Sequence, residues 1–321
     1  MEENKVLKVA CVGTGVIGSS WAVNFALKGY PVNVYDVKEE LFELAKKRIN
    51  ESLEYLAKNE VIKYEEISEI TDRISYFTSI EETVKDVQFI QESGPENYDI
   101  KRNILAQIEK YAPADTIYSS STSGLLITEI AKFAQHPERC VGGHPYNPPH
   151  LIPLVEITKG EKTAEEFVQK AKAFYLAVGK EPVVLQKEAL GFIANRLQQG
   201  LFREAANLVM NGVCTVEDVD KATTFGPGIR WGIMGPALIF DLGGGEGGIK
   251  ETFDHMGPSI NLWLKDMADF KEYPEGFSDF IQQGVNEELK NRPVELGNNR
   301  ESLRQYRDDM LIGLLKLHKK L

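Results

Sequence analysis

Two side chains suited to exchanging a proton, His144 and Glu156, lie twelve positions apart in the chain. His144 ends an apolar stretch typical of a buried strand, and Glu156 lies in the next such stretch, so a chain reversal would bring imidazole and carboxylate together. The carboxylate would fix the tautomer of the ring, while the other ring nitrogen takes a proton from an alcohol. The pair predicts a general acid–base site, with a purely structural histidine as the alternative. His150, in the same proline-rich loop, is the second choice.

A glycine-rich turn near the start of the chain has the spacing of a dinucleotide-binding loop. The sequence GTGVIG follows the apolar run KVACV and opens a helical stretch. The first glycine suits a tight turn, the second allows close approach of a pyrophosphate, and the third lets the helix pack on the strand. Free N–H groups at the positive end of the helix would bind the pyrophosphate. The residues assigned to the cofactor here are Gly13, Gly15, Val16, Ile17 and Gly18.

Asp36 indicates which dinucleotide the turn would bind. It ends the second strand-like run, VNVY, about twenty residues after the glycines. A carboxylate at this point accepts hydrogen bonds from the ribose hydroxyls and repels a 2′-phosphate. The sequence therefore favours NAD over NADP, although Lys38 lies close by. The alternative is a glycine turn that serves only the fold.

The composition argues against several other classes of protein. The net charge of −11 disfavours binding to nucleic acid or to anionic membranes. The three cysteines, Cys11, Cys140 and Cys214, have no CxxC spacing, so we expect neither a disulfide framework nor a metal site. No apolar run reaches the roughly eighteen residues of a membrane span. The acidic N-terminus lacks an apolar signal core, so we expect a cytoplasmic protein.

The first part of the chain alternates between strand-like and helical patterns. Such alternation predicts an α/β fold of the Rossmann type, a doubly wound and mostly parallel sheet with helices on both faces. The predicted strands are Lys8–Val12, Val32–Tyr35, Arg73–Phe77, Val87–Gln91, Thr116–Ser119, Arg139–Gly142, Leu154–Ile157 and Pro182–Leu185.

The pattern changes after Lys187. Leu190–Asn211 predicts one long helix, and the remainder is helical with glycine and proline breaks and no strand alternation. We therefore predict two domains, an NAD-binding Rossmann domain over residues 1–187 and an all-helical domain over residues 188–321. The second domain would close a substrate cleft and form a dimer.

Four segments, in order, resemble signatures of the 3-hydroxyacyl-CoA dehydrogenase family, and the resemblance covers nearly the whole chain. In this family the histidine is followed twelve positions later by glutamate, as in HPYNPPHLIPLVE here. The other segments are the serine loop SSSTSGL, the motif GFIANRL that opens the second domain, and the loop ESGPENYDIK that closes over the cofactor.

The resemblance implies a role for each matching residue. His144 would be the general base in alcohol oxidation and Glu156 would orient it. Ser123 would hydrogen-bond the reacting oxygen, and Asn195 would position the substrate and the nicotinamide. Each of these two residues has a structural alternative. Ser123 would only be the N-cap of a helix over Leu125–Phe133, and Asn195 would only connect a helix to a turn.

The resemblance also implies a cofactor loop and an assembly. Glu96 and Lys101 would lie near the nicotinamide ribose. The reaction would pass a hydride from carbon 3 of a hydroxy acid to NAD. The helical domain would join two copies into a homodimer.

Two regions bear on the substrate. The stretch Glu51–Tyr76 has seven acids against Lys58, Lys63 and Arg73, unlike the basic insertion that helps the CoA enzymes to bind CoA phosphates. Arg230, followed by Trp231, resembles the branch of the family that oxidises free acids, and its guanidinium would grip a carboxylate. A surface or inter-subunit arginine is the alternative.

Within that branch, the run LGGGEGGI and the following MGP resemble the members that act on L-carnitine. Trp231, Tyr146, Phe240 and Trp263 would offer aromatic faces to a trimethylammonium group, with ordinary core packing as the alternative. The sequence thus favours L-carnitine. A short-chain (S)-3-hydroxyacyl-CoA, L-gulonate, and a non-catalytic crystallin-like role remain the alternatives.

Overall fold

The computed structural model describes residues 6–321, which divide into two compact units. The first unit extends to Asn195 and includes Leu315–Leu321, and the second is Arg196–Leu314. The domain limit predicted after residue 187 lies shortly before this division. No helix among the described residues is long and apolar enough to cross a membrane.

The first unit is built on one eight-stranded sheet with the order β3-β2-β1-β4-β5-β6-β7-β8. All neighbouring strands are parallel except β6 and β7, which are antiparallel. The predicted α/β fold with a mostly parallel sheet is therefore confirmed. The strands are β1 Val9–Val12, β2 Val32–Tyr35, β3 Ile74–Phe77, β4 Phe89–Glu92, β5 Ile117–Ser120, β6 Cys140–Pro145, β7 Leu154–Lys159 and β8 Glu181–Val184.

In the part of this unit that the structure describes, seven α-helices accompany the sheet: α1 Val16–Leu27, α2 Glu40–Lys58, α3 Glu66–Thr71, α4 Ile80–Val84, α5 Tyr98–Ile108, α6 Ile127–Ile130 and α7 Glu165–Ala177. Helix α1 is buried along most of its length, and α2 buries one apolar face. Helix α6 is a single turn with Leu126 at its N-cap. The interpretation of Ser123 as the N-cap of a helix over Leu125–Phe133 is therefore wrong.

The second unit, Arg196–Leu314, contains helices and turns and no strand. Its helices are α8 Ala194–Met210, α9 Val216–Phe225, α10 Pro227–Trp231, α11 Pro236–Gly243, α12 Gly248–Asp266, α13 Phe277–Asn291 and α14 Arg300–Leu317. Helix α8 begins later than the predicted Leu190 because Gly191 and Phe192 have φ values of 72° and 51°. A right-handed helix cannot continue through two left-handed residues.

The glycine turn between β1 and α1 has a different steric constraint at each glycine. Gly13 has φ +105°, and a Cβ there would lie 2.9 Å from the carbonyl oxygen of Ser93. A Cβ on Gly18 would lie 1.9 Å from the carbonyl oxygen of Gly13, so only glycine lets α1 pack against this turn. A Cβ on Gly15 would meet no atom within 4 Å. The open side of the turn is therefore at Gly15, at the N-terminus of α1.

These contacts predict different effects on stability for two nearby substitutions. Gly18→Ala should lower the free energy of unfolding by about 1–3 kcal/mol, because the added methyl group overlaps a backbone carbonyl. Gly15→Ala, its matched control, should change it by no more than about 0.5 kcal/mol, because the methyl group enters open space. Urea unfolding of the two variants measures this difference. Equal stability of both would contradict the packing described for Gly18.

Candidate active site

The antiparallel pairing of β6 and β7 places His144 directly opposite Glu156. Nδ1 of His144 lies 2.7 Å from Oε2 of Glu156. Both side chains are almost fully buried. An ionised carboxylate only accepts hydrogen bonds, so Nδ1 carries the proton of the neutral ring. Nε2 then has a lone pair with which to take a proton from a substrate.

The second oxygen of Glu156 is held by the start of α8. Oε1 accepts hydrogen bonds from the backbone N–H groups of Ile193, at 2.8 Å, and Ala194, at 2.9 Å. Burial raises the pKa of Glu156. The hydrogen bonds from His144, Ala194 and Ile193 together lower it by more than burial raises it, so the pKa lies below its ordinary value. The positive end of α8 favours the same charge. Glu156 therefore stays ionised at neutral pH despite its burial.

The left-handed turn at Gly191 and Phe192 aims these two N–H groups at Glu156. Successive N–H groups in such a turn form a concave binding site for an anion. The ring of Phe192 is buried and packs edge-to-face against the His144 ring, with centroids 5.5 Å apart. We did not predict Phe192 as a site residue. The available signal was the Gly-Phe pair directly before the helix, because glycine favours left-handed turns at helix ends.

Tyr146, Asn195 and Ser123 lie together at the same site. The Tyr146 hydroxyl donates to Oδ1 of Asn195 at 3.2 Å, and Nδ2 of Asn195 donates to the carbonyl oxygen of Ser123 at 3.1 Å. The rings of His144 and Tyr146 pack edge-to-face at 5.9 Å. Ser123 itself is exposed. Four of the predicted substrate and catalytic residues are thus connected by direct contacts.

Glu96 fixes the serine loop. Its Oε1 accepts hydrogen bonds from Oγ1 of Thr122, at 2.7 Å, and from the backbone N–H of Ser123, at 2.8 Å. The side chain of Glu96 is still 45% exposed. Glu96 therefore sets the backbone that presents Ser123 and keeps an exposed carboxylate edge for a ligand.

Lys101 lies behind Glu96 in a buried cluster of polar groups. Its Nζ donates to both oxygens of Glu92, at 2.9 and 3.0 Å, and lies 3.8 Å from Oε2 of Glu96. Tyr118 and Ser120 also donate to Glu92, and burial and the Glu92 charge raise the pKa of Tyr118. The buried Lys101 side chain is paired with Glu92, whereas Glu96 is the exposed member.

Asp36 is tied to the glycine turn. Its Oδ2 accepts hydrogen bonds from the backbone N–H of Thr14, at 2.8 Å, and from the Thr14 hydroxyl, while Oδ1 accepts from the backbone N–H of Val37. Both lone-pair positions of Oδ2 are thereby used, whereas Oδ1 accepts one hydrogen bond and keeps a further lone pair. The N–H groups in the first turn of α1 have no partner within the helix. The open side at Gly15 and the carboxylate of Asp36 therefore fit a dinucleotide.

The remaining predicted residues lie in the second unit. Arg230 and Trp231 end the short helix α10, and both are exposed. Phe240 lies on α11 and Trp263 on α12, where both are also exposed. Trp231, Phe240 and Trp263 are therefore not core residues of the second unit, so the alternative of ordinary core packing does not apply to them.

Comparison with known proteins matches both parts of the chain to one family. The model of the 3-hydroxyacyl-CoA dehydrogenase NAD-binding domain matches residues 8–189, and that of the C-terminal domain of the same family matches residues 191–277. An L-carnitine dehydrogenase of Streptomyces griseus is 42% identical over 90% of this chain and 85% of its own. One from Oceanobacillus iheyensis is 38% identical over 97% of each chain.

Two solved structures extend the comparison. A 5-formyl-3-hydroxy-2-methylpyridine 4-carboxylic acid 5-dehydrogenase, described as an NAD+-dependent dismutase, has a TM-score of 0.79 and 26% identity, with 98% of both chains covered. The 3-hydroxybutyryl-CoA dehydrogenase of Escherichia coli has a TM-score of 0.70 and 27% identity over 88% of this chain and 57% of its own.

The turn at Phe192 predicts a difference between two substitutions of equal volume. Phe192→Leu and Phe192→Ile both remove the ring, but isoleucine is branched at Cβ and strongly disfavours a positive φ. The Ile variant should therefore be less stable than the Leu variant by about 1 kcal/mol or more. Thermal or urea unfolding compares the two directly. If the Ile variant were as stable as the Leu variant, the left-handed turn would not be a constraint.

Proposed function

The chain belongs to the 3-hydroxyacyl-CoA dehydrogenase family, whose members are NAD-dependent enzymes acting on CH–OH groups, and we propose that its substrate is L-carnitine. His144, oriented by Glu156, would be the general base in oxidation of the 3-hydroxyl group to a ketone. The observation that carries the role of His144 is the 2.7 Å hydrogen bond between the two side chains, which leaves Nε2 to accept the proton.

Each protein group has a task in this reaction. NAD, when bound, accepts the hydride from carbon 3. Nε2 of His144 takes the hydroxyl proton, and the ionised Glu156 stabilises the imidazolium that results. Ser123 hydrogen-bonds the reacting oxygen, and Asn195, held by Tyr146, orients the substrate. In the reverse direction His144 acts as the acid.

The cofactor would lie along the carboxyl ends of β1 and β4, where the direction of strand order reverses. The turn from Gly13 to Gly18 would hold the pyrophosphate, and Asp36 the adenosine ribose. Glu96 would contact the nicotinamide ribose through its exposed edge. Lys101 would lie behind Glu96 near the same ribose, because its Nζ is 3.8 Å from Oε2 of Glu96.

L-carnitine has a carboxylate at one end and a trimethylammonium group at the other, and the chain offers a group for each. Arg230 suits the carboxylate, since a guanidinium pairs with it in a bidentate geometry. Trp231 and Tyr146 suit the ammonium group, since aromatic faces attract cations. The relatives of 36–42% identity named L-carnitine dehydrogenase support this substrate.

We further propose that two copies associate through the helical second unit and that the protein acts in the cytoplasm. The second unit exposes large apolar side chains, which commonly mark protein interfaces when they are contiguous. The side chains more than half exposed there include Phe225, Ile233, Leu238, Leu242, Leu262 and Leu264.

A panel of substrates tests the proposal. Purified protein should reduce NAD in the presence of L-carnitine, and more slowly with NADP because Asp36 repels a 2′-phosphate. L-Gulonate and (S)-3-hydroxybutyryl-CoA should give little or no NADH. NADH absorbance measures each rate. Preference for the CoA thioester would overturn the choice of substrate and support a short-chain acyl-CoA enzyme.

Two variants control the same assay. His144→Ala should lower kcat by about 100-fold or more, because no other group replaces the base. Arg230→Gln should raise the KM for L-carnitine and leave kcat less affected, because it removes a contact remote from carbon 3. Full activity of His144→Ala would exclude the proposed mechanism.

Glu156→Gln tests the orienting carboxylate. The amide can still accept from Ile193 and Ala194 but presents an NH2 group to Nδ1 of His144, so kcat should fall by about 100-fold or more while NAD binding is retained.

The same variant should also show a pH-dependent change in stability. Because the folded-state pKa of Glu156 is lowered, its ionised form stabilises the fold above the ordinary carboxyl value of 4.5, and this contribution is lost as the pH falls through the lowered pKa. The difference in unfolding free energy between the wild type and Glu156→Gln should therefore be constant near neutral pH and shrink in acid. Urea titrations at several pH values measure it, and a difference that grew in acid would contradict this assignment.

A further inference from the structure

Two buried or mostly buried titratable side chains, His150 and Lys180, have no part in the chemistry described above. His150 lies in the loop between β6 and β7, six residues after the base. Lys180 directly precedes β8 and is 4% exposed. A buried lysine without a carboxylate partner is costly, so its contacts need an explanation.

His150 is fastened to helix α1 by two hydrogen bonds to one hydroxyl group. Oγ of Ser20 accepts from the backbone N–H of His150 at 2.9 Å and lies 2.8 Å from its Nδ1. Burial and the nearby Lys180 lower the pKa of His150 to about 4, so the ring is neutral at pH 7. In the tautomer protonated at Nε2, Nδ1 accepts the hydroxyl proton of Ser20. One serine thus holds both the backbone and the ring of His150.

Lys180 fastens the same loop from the other side. Its Nζ donates to the carbonyl oxygens of Pro149 and, at 3.3 Å, Ile152. It also lies 5.2 Å from the centre of the Trp21 ring, which neighbours Ser20 on α1. Two of these contacts are on the loop and the third is on α1, and all of the groups belong to the first unit.

We propose that Ser20, His150 and Lys180 form a clamp that positions the loop of residues 146–152 against α1, and that all three are positioning residues for hydride and proton transfer. The clamp rests on the proposed function, because it concerns the geometry of that reaction.

The clamp connects the helix that would bind the cofactor to the loop that would orient the substrate. Helix α1 begins at the glycine turn that would hold the cofactor pyrophosphate, one turn before Ser20. The loop begins with Tyr146, whose hydroxyl holds Asn195. The clamp therefore fixes the substrate-orienting groups relative to the cofactor-binding helix. A displacement of about 1 Å at this point can cost about 100-fold in rate.

A set of three variants in the full chain tests the clamp. His150→Leu fills the space but removes the acceptor for Ser20, and Ser20→Ala removes the hydroxyl. His150→Asn restores an acceptor on the atom bonded to Cγ, and should rescue the effect. His136→Leu is the matched control, because His136 is a half-exposed histidine that pairs with Glu138 outside the site.

Three measurements are made on each variant: kcat and KM with the 3-hydroxy acid that the wild type oxidises, the Kd for NADH by fluorescence, and hydrogen exchange of the amides in residues 146–152. His150→Leu and Ser20→Ala should lower kcat by about tenfold or more and speed exchange in the loop. The Kd for NADH should change less than about twofold, because neither substitution alters the glycine turn that would hold the cofactor. His150→Asn should recover kcat to within about threefold of the wild type, and His136→Leu should match the wild type.

The outcomes separate the clamp from the proposed function. Unchanged kcat and unchanged exchange in His150→Leu would overturn the clamp even if L-carnitine is the substrate. A parallel loss of NADH affinity and kcat would also overturn it, since that result indicates general damage to the fold. If the wild type oxidises none of the tested acids, the proposed function fails, while faster exchange with retained NADH affinity would still support the loop contact.

Discussion

The site depends on one buried carboxylate, Glu156, which accepts three hydrogen bonds. A buried charge is costly unless it is paired and hydrogen-bonded, and each of its partners imposes a demand on the fold. The bond from His144 is made across the antiparallel pairing of β6 and β7, in an otherwise parallel sheet. The bonds from Ile193 and Ala194 require the chain to turn left-handed before α8 begins. The reversed strand and the broken start of the helix thus both supply hydrogen-bond donors to the same carboxylate.

Much of the first unit could be predicted from the sequence because strand formation has a strong local signal. All eight predicted strands are present, with ends shifted by three residues at most. The pairing of His144 with Glu156 was also open to prediction, since both lie in consecutive strands. The start of α8 was missed, because the apolar pattern continues through Leu190 and Ile193, and Gly191 was the local sign of the left-handed turn that precedes the helix.

The contacts missed from the sequence are those between distant segments. Ser20 and His150 are 130 positions apart, and nothing in the local pattern of either segment indicates their contact. Lys101 illustrates the same difficulty differently. The family resemblance assigns it to a cofactor loop, whereas its buried Nζ is paired with Glu92, nine positions earlier. The motif does not reveal which carboxylate Lys101 will pair with, because that depends on how α5 packs against β4.

The cross-strand position of His144 and Glu156 limits how this region can change in length. Side chains alternate between the faces of a strand, so a shift of one residue in β7 relative to β6 would turn Glu156 to the opposite face of the sheet. A single insertion or deletion inside β7 would thus separate imidazole and carboxylate without altering either residue. Length variation is compatible with the site only where the pairing of Pro145 with Val155 is kept. A loop grafted between β6 and β7 must therefore first preserve the register of the two strands, and its composition is a secondary requirement.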